Sequence, residues 1–192
     1  MNNLLILASN SPRRKQLLKK LKINFDIFPS NINENKILNL PPIDFAKHWA
    51  ETKAIEVGKH KPKNLIIAAD TIVTYKNKIL GKPKDKNENF KMLELLSGNT
   101  HKVITSIVFL NKEKNIFKCS HKETSVTLNS LNHNEIWDYI NANNTLDKAG
   151  GYGIQGFFSV YINNINGCYY NVMGLPLSLF YKEYIKIKNQ IK

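Results

Sequence analysis

The sequence predicts a single α/β domain over residues 1–192, with a central mixed, twisted β-sheet flanked by helices. Three observations lead there. The chain opens with a strand, a tight turn and a helix start; strand-like apolar runs then alternate with segments of helical periodicity; and two long strands in the middle are separated by a short polar turn, which pairs them antiparallel. At 192 residues the chain suffices for one substantial core and is short for two. No internal repeat or low-complexity linker divides it.

In order, Leu4–Ala8 is an apolar run of strand type, and Ser11 with Pro12 supplies an N-cap and a first-turn proline for a helix to about Leu21. Ile23–Phe28 alternates apolar and polar residues as a second strand, closed by Pro29, and Asn31–Pro42 is a polar loop. From Asp44 to about Val57 the residues Phe45, Ala46, Trp49, Ala50, Ala54 and Val57 recur at helical spacing. Lys53 falls on the same stripe. A buried amine is costly alone, so either its stem snorkels or its head meets an anion inside. Trp49 and Trp137 sit on apolar helical faces and are expected in the core.

Leu65–Val73 is a strand interrupted by one carboxylate, Asp70. Aspartate is depleted in strands and expensive to bury, so Asp70 is paired, placed at a strand end or chemically employed. Tyr75–Lys78 turns, Ile79-Leu80 returns, and Gly81-Lys82-Pro83 breaks the strand. A helix from about Asn87 to Leu96 ends at Gly98, and Lys102–Phe109 with Ile116–Leu128 forms the hairpin. Asn132–Glu135 is a capping box opening a helix that carries Ile136, Trp137 and Ile140. Asp147–Gly156 holds Gly150, Gly151, Gly153 and Gly156, a loop whose backbone can approach a ligand closely. Phe157–Ile162 reads as a strand, Asn166-Gly167 as a turn, and Pro176 begins a last helix through Tyr184.

Composition narrows the function classes. Hydrophobic residues at 42% and charged residues at 22% suit a globular protein. The net charge of +13 invites a polyanionic partner, but the lysines are scattered from Lys15 to Lys192 without blocks interleaved with aromatics, which argues against nucleic acid as the main ligand. Met1-Asn2-Asn3 lacks the basic region of a secretion signal, and no apolar run approaches the ~20 residues of a membrane span. A cytoplasmic protein without a membrane partner is expected. Cys119 and Cys168 are widely separated and match no zinc ligand spacing, so they read as free thiols.

The chemistry begins at Ser9-Asn10-Ser11-Pro12-Arg13-Arg14. Hydroxyls, a helix N-terminus and two guanidiniums are the ingredients of an anion site, although no Gly-rich Walker loop accompanies them. Glu34, Asp70, Arg13, Arg14, Lys53 and Lys82 together offer what phosphate hydrolysis needs: carboxylates for a divalent cation, a base for water, and positive charge for the phosphates. Spacing alone does not bring them together.

Beyond these residues, the ordered set Leu7–Arg14, Glu34, Lys53-Ala54, Ala69-Asp70-Thr71, Gly81-Lys82-Pro83, Ser97–His101, Asp147–Gly156 and Asn171–Pro176 resembles the Maf family of nucleoside triphosphate pyrophosphatases, over nearly the whole chain. The resemblance implies a Maf/ITPase-like architecture with an active-site cleft. It implies hydrolysis between the α- and β-phosphates with a divalent cation, Mg²⁺ or Mn²⁺, giving monophosphate and pyrophosphate. It assigns Asp70 as general base, Glu34 and Asp70 to the metal, and Ser9, Arg13, Arg14, Lys53 and Lys82 to phosphate. Arg13, Thr71 and Gln155 resemble the branch acting on dTTP and UTP, whereas the 7-methyl-GTP branch carries tryptophan in place of this arginine. Gln155 offers a donor and an acceptor, which suits the edge of a uracil or thymine ring. Homodimerisation is a family-level expectation. Asn33, Ala68 and Cys168 depart from the usual acid, glycine and serine. Thr100 and His101 match the pattern, and His101 is read as structural. The competing readings are a pyrophosphatase for another modified nucleotide, such as 7-methyl-GTP, and a non-catalytic basic regulator of cell division that binds nucleic acid.

Overall fold

The computed structural model describes residues 5–34 and 38–191. The readings of Met1-Asn2-Asn3, of Leu4 as a strand residue and of the middle of the Asn31–Pro42 loop lie outside them.

Among the described residues, seven strands form one mixed sheet: β1 (Leu5–Leu7), β2 (Phe25–Ile27), β3 (Leu65–Tyr75), β4 (Lys78–Leu80), β5 (Thr100–Asn111), β6 (Ile116–Leu128) and β7 (Ile162–Asn166). Their order is β2-β1-β3-β5-β6-β7, with β4 pairing β3. β1 is parallel to both β2 and β3, and the other pairings are antiparallel. The helices are α1 (Pro12–Lys20), α2 (Pro42–His60), α3 (Lys86–Leu96), α4 (His133–Ala142), α5 (Tyr169–Val172) and α6 (Leu177–Ile191).

Alternation along β3 divides the core. Leu65, Ile67, Ala69 and Val73 pack in one cluster with Leu17 and Leu18 of α1, Leu93 and Leu96 of α3, Ile136 and Ile140 of α4, and Phe180 of α6. Ile66 and Ala68 face the opposite side, packed with Ala50, Ala54 and Val57 of α2. The sheet is therefore covered by α2 on one face and by the remaining long helices on the other. Ala68, the departure from glycine, is fully buried in the α2 cluster. Trp49 is buried, while Trp137 is partly buried and stacks on Phe90 with ring centroids 4.8 Å apart.

Local signals explain the ends of these elements. Ser11 caps α1 by accepting from the Arg14 backbone N–H, with proline in the first turn. Asp85 caps α3 in the same manner, and Asn132 and Glu135 form the capping box of α4.

Two segments differ from the sequence expectation. Phe157–Tyr161 is a 3-10 helix, and β7 follows it at Ile162–Asn166. Phe158 is fully buried whereas Phe157 and Val160 are exposed, the spacing of a helical turn in a β-rich composition. The last helix extends to Ile191, beyond Tyr184, and is preceded by the short α5. Ile187 continues its buried stripe.

Candidate active site

On the side of β3 that faces β1, pairing with β1 ends at Ile67 and pairing with β4 begins at Val73. Asp70 and Thr71 lie in the gap between these two neighbours. The turn after β1 enters there, tied by the Ala8 N–H donating to the Ile67 carbonyl at 2.8 Å. β1 sits between two parallel partners, so the chain leaves it at a point where connections diverge to either side. Ligands of open α/β sheets collect at such switch points. Because neighbouring strand residues point oppositely, Asp70 projects toward α2 and Thr71 toward α1 and the C-terminal segment.

On the α2 side, Lys53 is 7% exposed and Asp70 8% exposed. The Lys53 Nζ donates to Asp70 Oδ1 at 2.7 Å and lies 2.8 Å from Glu34 Oε2. The lysine on the buried stripe thus meets an anion rather than snorkelling, and the anions are the two carboxylates themselves. Burial makes this pairing obligatory, since an amine or carboxylate left alone there is expensive. Lys53, read as a phosphate ligand, is engaged by carboxylates in this state.

On the other side, Arg14 is clasped three ways. Its Nε donates to the Gly174 carbonyl at 3.0 Å, Nη1 to Ser9 Oγ at 3.2 Å and Nη2 to Thr71 Oγ1 at 3.1 Å. Gly174 has φ +107°, and a Cβ there would stand 3.3 Å from Thr71 Oγ1, so glycine both permits the backbone and makes room for the clasp. Thr71 and Thr105 hydroxyls lie 3.0 Å apart, and Thr105 donates to the Asn171 carbonyl at 2.8 Å. The Asn171 amide in turn donates to the Val103 carbonyl and to Thr124 Oγ1. This buried chain fixes Thr71 from behind. Cys168 joins it through its backbone, its N–H donating to Thr124 Oγ1 at 3.0 Å, so the change from serine leaves these bonds intact.

Burial lowers the Arg14 pKa and Arg13 lowers it further, while Asp70 and Glu34 pull it up. The two clusters flank the same stretch of β3, at the adjacent residues Asp70 and Thr71. Asp70 and Glu34 supply hard oxygen donors converging on a single cationic atom, a donor set that suits Mg²⁺ or Mn²⁺ completed by water and phosphate oxygens. Among the described residues no third acidic, histidine or cysteine side chain joins them.

Arg13 points elsewhere. Its Nη1 pairs with Asp147 Oδ2 at 3.2 Å, at the head of the glycine loop. That loop is anchored by the Gly150 N–H donating to the Gly81 carbonyl, by Asn89 Nδ2 donating to the Gly151 carbonyl and by the Gly153 N–H donating to the Tyr139 hydroxyl. Gly150 and Gly151 have φ of +68° and +74°, and a Cβ would meet Val73 at 2.9 Å and Asn89 Nδ2 at 2.0 Å. Close packing on β3 and α3 therefore requires glycine at these two positions. Lys82 and Gln155 stand exposed beside these anchors, and their side chains make no hydrogen bond or ion pair among the described residues.

His101 is 1% exposed, with Nε2 2.6 Å from the Tyr152 hydroxyl, and burial lowers its pKa to about 4. It is a neutral brace under the glycine loop, as its strand-start position led one to expect. Sequence reasoning gave no individual role to Gly174, Thr105, Asn171 or Asp147. The contacts that tie them to the site span between 34 and 160 residues, and no local pattern encodes them.

Comparison with known proteins agrees with the ordered motifs. The family model described as Maf-like protein matches residues 4–186. A dTTP/UTP pyrophosphatase of Clostridium botulinum (strain Alaska E43 / Type E3) is 45% identical over 175 residues, covering 90% of this chain and 93% of its own. Proteins of the same name from Clostridium perfringens (strain ATCC 13124) and Bacillus cereus (strain G9842) are 44% and 42% identical, each over 179 residues and 93% of their own length, covering 92% and 93% of this chain. Among solved structures, the Ham1 protein of Staphylococcus aureus is similar at TM-score 0.45 and 14% identity, over 65% of this chain and 71% of that one, too distant to inform the chemistry. With the motifs, the β3 site and the family model all in register along its length, the chain belongs to the Maf family.

Proposed function

We propose that this chain hydrolyses dTTP and UTP to the monophosphate and pyrophosphate, in the cytoplasm, with a divalent cation. The observation that carries the reading is the meeting at Asp70-Thr71 of a carboxylate–lysine cluster and an arginine clasp. The names of relatives at 42–45% identity over most of the chain support the choice of substrate.

Asp70 takes the proton of the attacking water. A carboxylate in a low-dielectric gap, oriented by Lys53, is suited to that role. Glu34 and Asp70 would hold the cation, which neutralises phosphate charge when bound. Arg14 uses three N–H groups on protein acceptors, so its remaining donors are held in fixed directions for an anion. Arg13 and Lys82 add positive charge from the exposed rim, and Ser9 braces Arg14. Gln155 presents its amide to the pyrimidine edge, while Thr71 sets the position of Arg14. Lys53 keeps its bond to Asp70 and adds its positive charge to the phosphates from beside the carboxylates.

Incubating the protein with single nucleotides and Mg²⁺ or Mn²⁺ tests the reading. Pyrophosphate is expected fastest from dTTP and UTP; orthophosphate as the direct product, or preference for 7-methyl-GTP, contradicts it.

A further inference from the structure

Asp147 has no part in the chemistry above, yet it is the residue that holds Arg13. One Oδ accepts from Arg13 Nη1 at 3.2 Å and the other from Lys148 Nζ at 2.5 Å. Lys148 Nζ also donates to the Asn144 carbonyl. The carboxyl pKa ends below its ordinary value: burial acts to raise it, and Lys148 and Arg13 together outweigh burial. Tyr139, whose hydroxyl accepts from the Gly153 N–H, lies near enough for Asp147 and Arg13 to act on it in opposite directions. The row Arg13–Asp147–Lys148 thus joins the first turn of α1 to the loop that carries Gln155, across 134 residues of chain.

We propose that Asp147 is a positioning residue for substrate recognition, fixing the Arg13 guanidinium at the mouth of the site and fastening the Gln155 loop to the turn after β1. This rests on the proposed nucleotide reading. The sign follows from the charge row. Lys148 already neutralises Asp147, so the carboxylate repels an incoming phosphate little; what it gives Arg13 is a direction. Among the described residues Arg13 donates through Nη1 alone, which leaves Nε and Nη2 for an anion. Without the carboxylate, two like charges face each other and the arginine regains its rotamer freedom.

The side chains of the pair are 30% and 46% exposed, so the effect is modest, about fivefold, the upper end for an exposed pair. Steady-state kinetics on dTTP should show KM raised about fivefold in Asp147→Asn with kcat within about twofold, and largely restored in Asp147→Glu. In an Arg13→Gln background the same substitution should change KM no further. Raising NaCl to roughly 0.5 M should shrink the difference between wild type and Asp147→Asn. An unchanged or lowered KM in Asp147→Asn, or an equal fold-change in the Arg13→Gln background, overturns the proposal while leaving the nucleotide reading intact. Failure of the unsubstituted protein to hydrolyse dTTP and UTP overturns both. Melting temperatures of all variants separate a misfolded loop from a displaced arginine.

Discussion

Removing the amine of Lys53 tests whether the carboxylate cluster is built as described. Lys53→Met keeps the stem and its packing against α2 neighbours but leaves Asp70, 8% exposed, without its 2.7 Å partner. Breaking a buried pair from one side costs roughly 3–5 kcal/mol, because a charge stays behind uncompensated. Glu34, with a side chain 47% exposed, is solvated and adds little. Asp70 borders the gap in the sheet, where water can approach, so the lower end, about 3 kcal/mol, is expected. For a domain of this size each kcal/mol shifts Tm by about 2–4 °C, which predicts a fall of about 6–12 °C. Urea and thermal unfolding of wild type, Lys53→Met, Asp70→Asn and the double variant measure it. The double variant should be more stable than the sum of the single losses predicts, since removing both charges removes the desolvation problem. A loss below about 0.5 kcal/mol in Lys53→Met, or strict additivity, would refute the pairing argument.

Asp70→Asn should lower kcat on dTTP by roughly 10²–10⁴-fold with the fold retained by circular dichroism; near-normal turnover would place the base elsewhere. Chelation of divalent cations should abolish hydrolysis and added Mg²⁺ or Mn²⁺ restore it, followed by pyrophosphate release; activity persisting in chelator would contradict the assignment of Glu34 and Asp70. Gly174→Ala forces a side chain into φ +107° and presses on Thr71, so a loss of roughly 1–3 kcal/mol in urea unfolding is expected with a raised KM. For His101 the folded pKa, about 4, lies below the ordinary 6.5, so its contribution is complete above 6.5 and is lost as pH falls toward 4. That loss is about 3 kcal/mol, and a His101→Gln variant should show a flatter stability curve over this window in urea melts at each pH.

Most of the scaffold was legible because its signals are local. The Ser11-Pro12 cap, the capping box at Asn132 and the apolar run around Asp70 each depend on neighbours within a turn or a strand. The misread segment, Phe157–Tyr161, has strand-like composition, and only its packing, Phe158 in and Phe157 out, selects a 3-10 turn. Within the site, the anomaly of Asp70 and the placement of Lys53 on a buried stripe were visible in sequence. That each answers the other was not, because their pairing requires α2 to lie across β3. Arg14 illustrates the same limit: its residue type announced an anion, whereas its clasp by Gly174, Ser9 and Thr71 depends on a contact from the far end of the chain.

The competing reading of the basic charge as a nucleic-acid surface predicts steeply salt-dependent DNA or RNA binding that Asp70→Asn leaves unchanged. A gel-shift titration separates it from catalysis, which Asp70→Asn should remove.

The most direct test is a nucleotide panel with product identification, using dTTP, UTP, the other standard triphosphates, ITP and 7-methyl-GTP with Mg²⁺ or Mn²⁺. The proposed function requires the highest kcat/KM on dTTP and UTP with stoichiometric pyrophosphate and monophosphate, whereas orthophosphate release or no turnover of either pyrimidine nucleotide would contradict it.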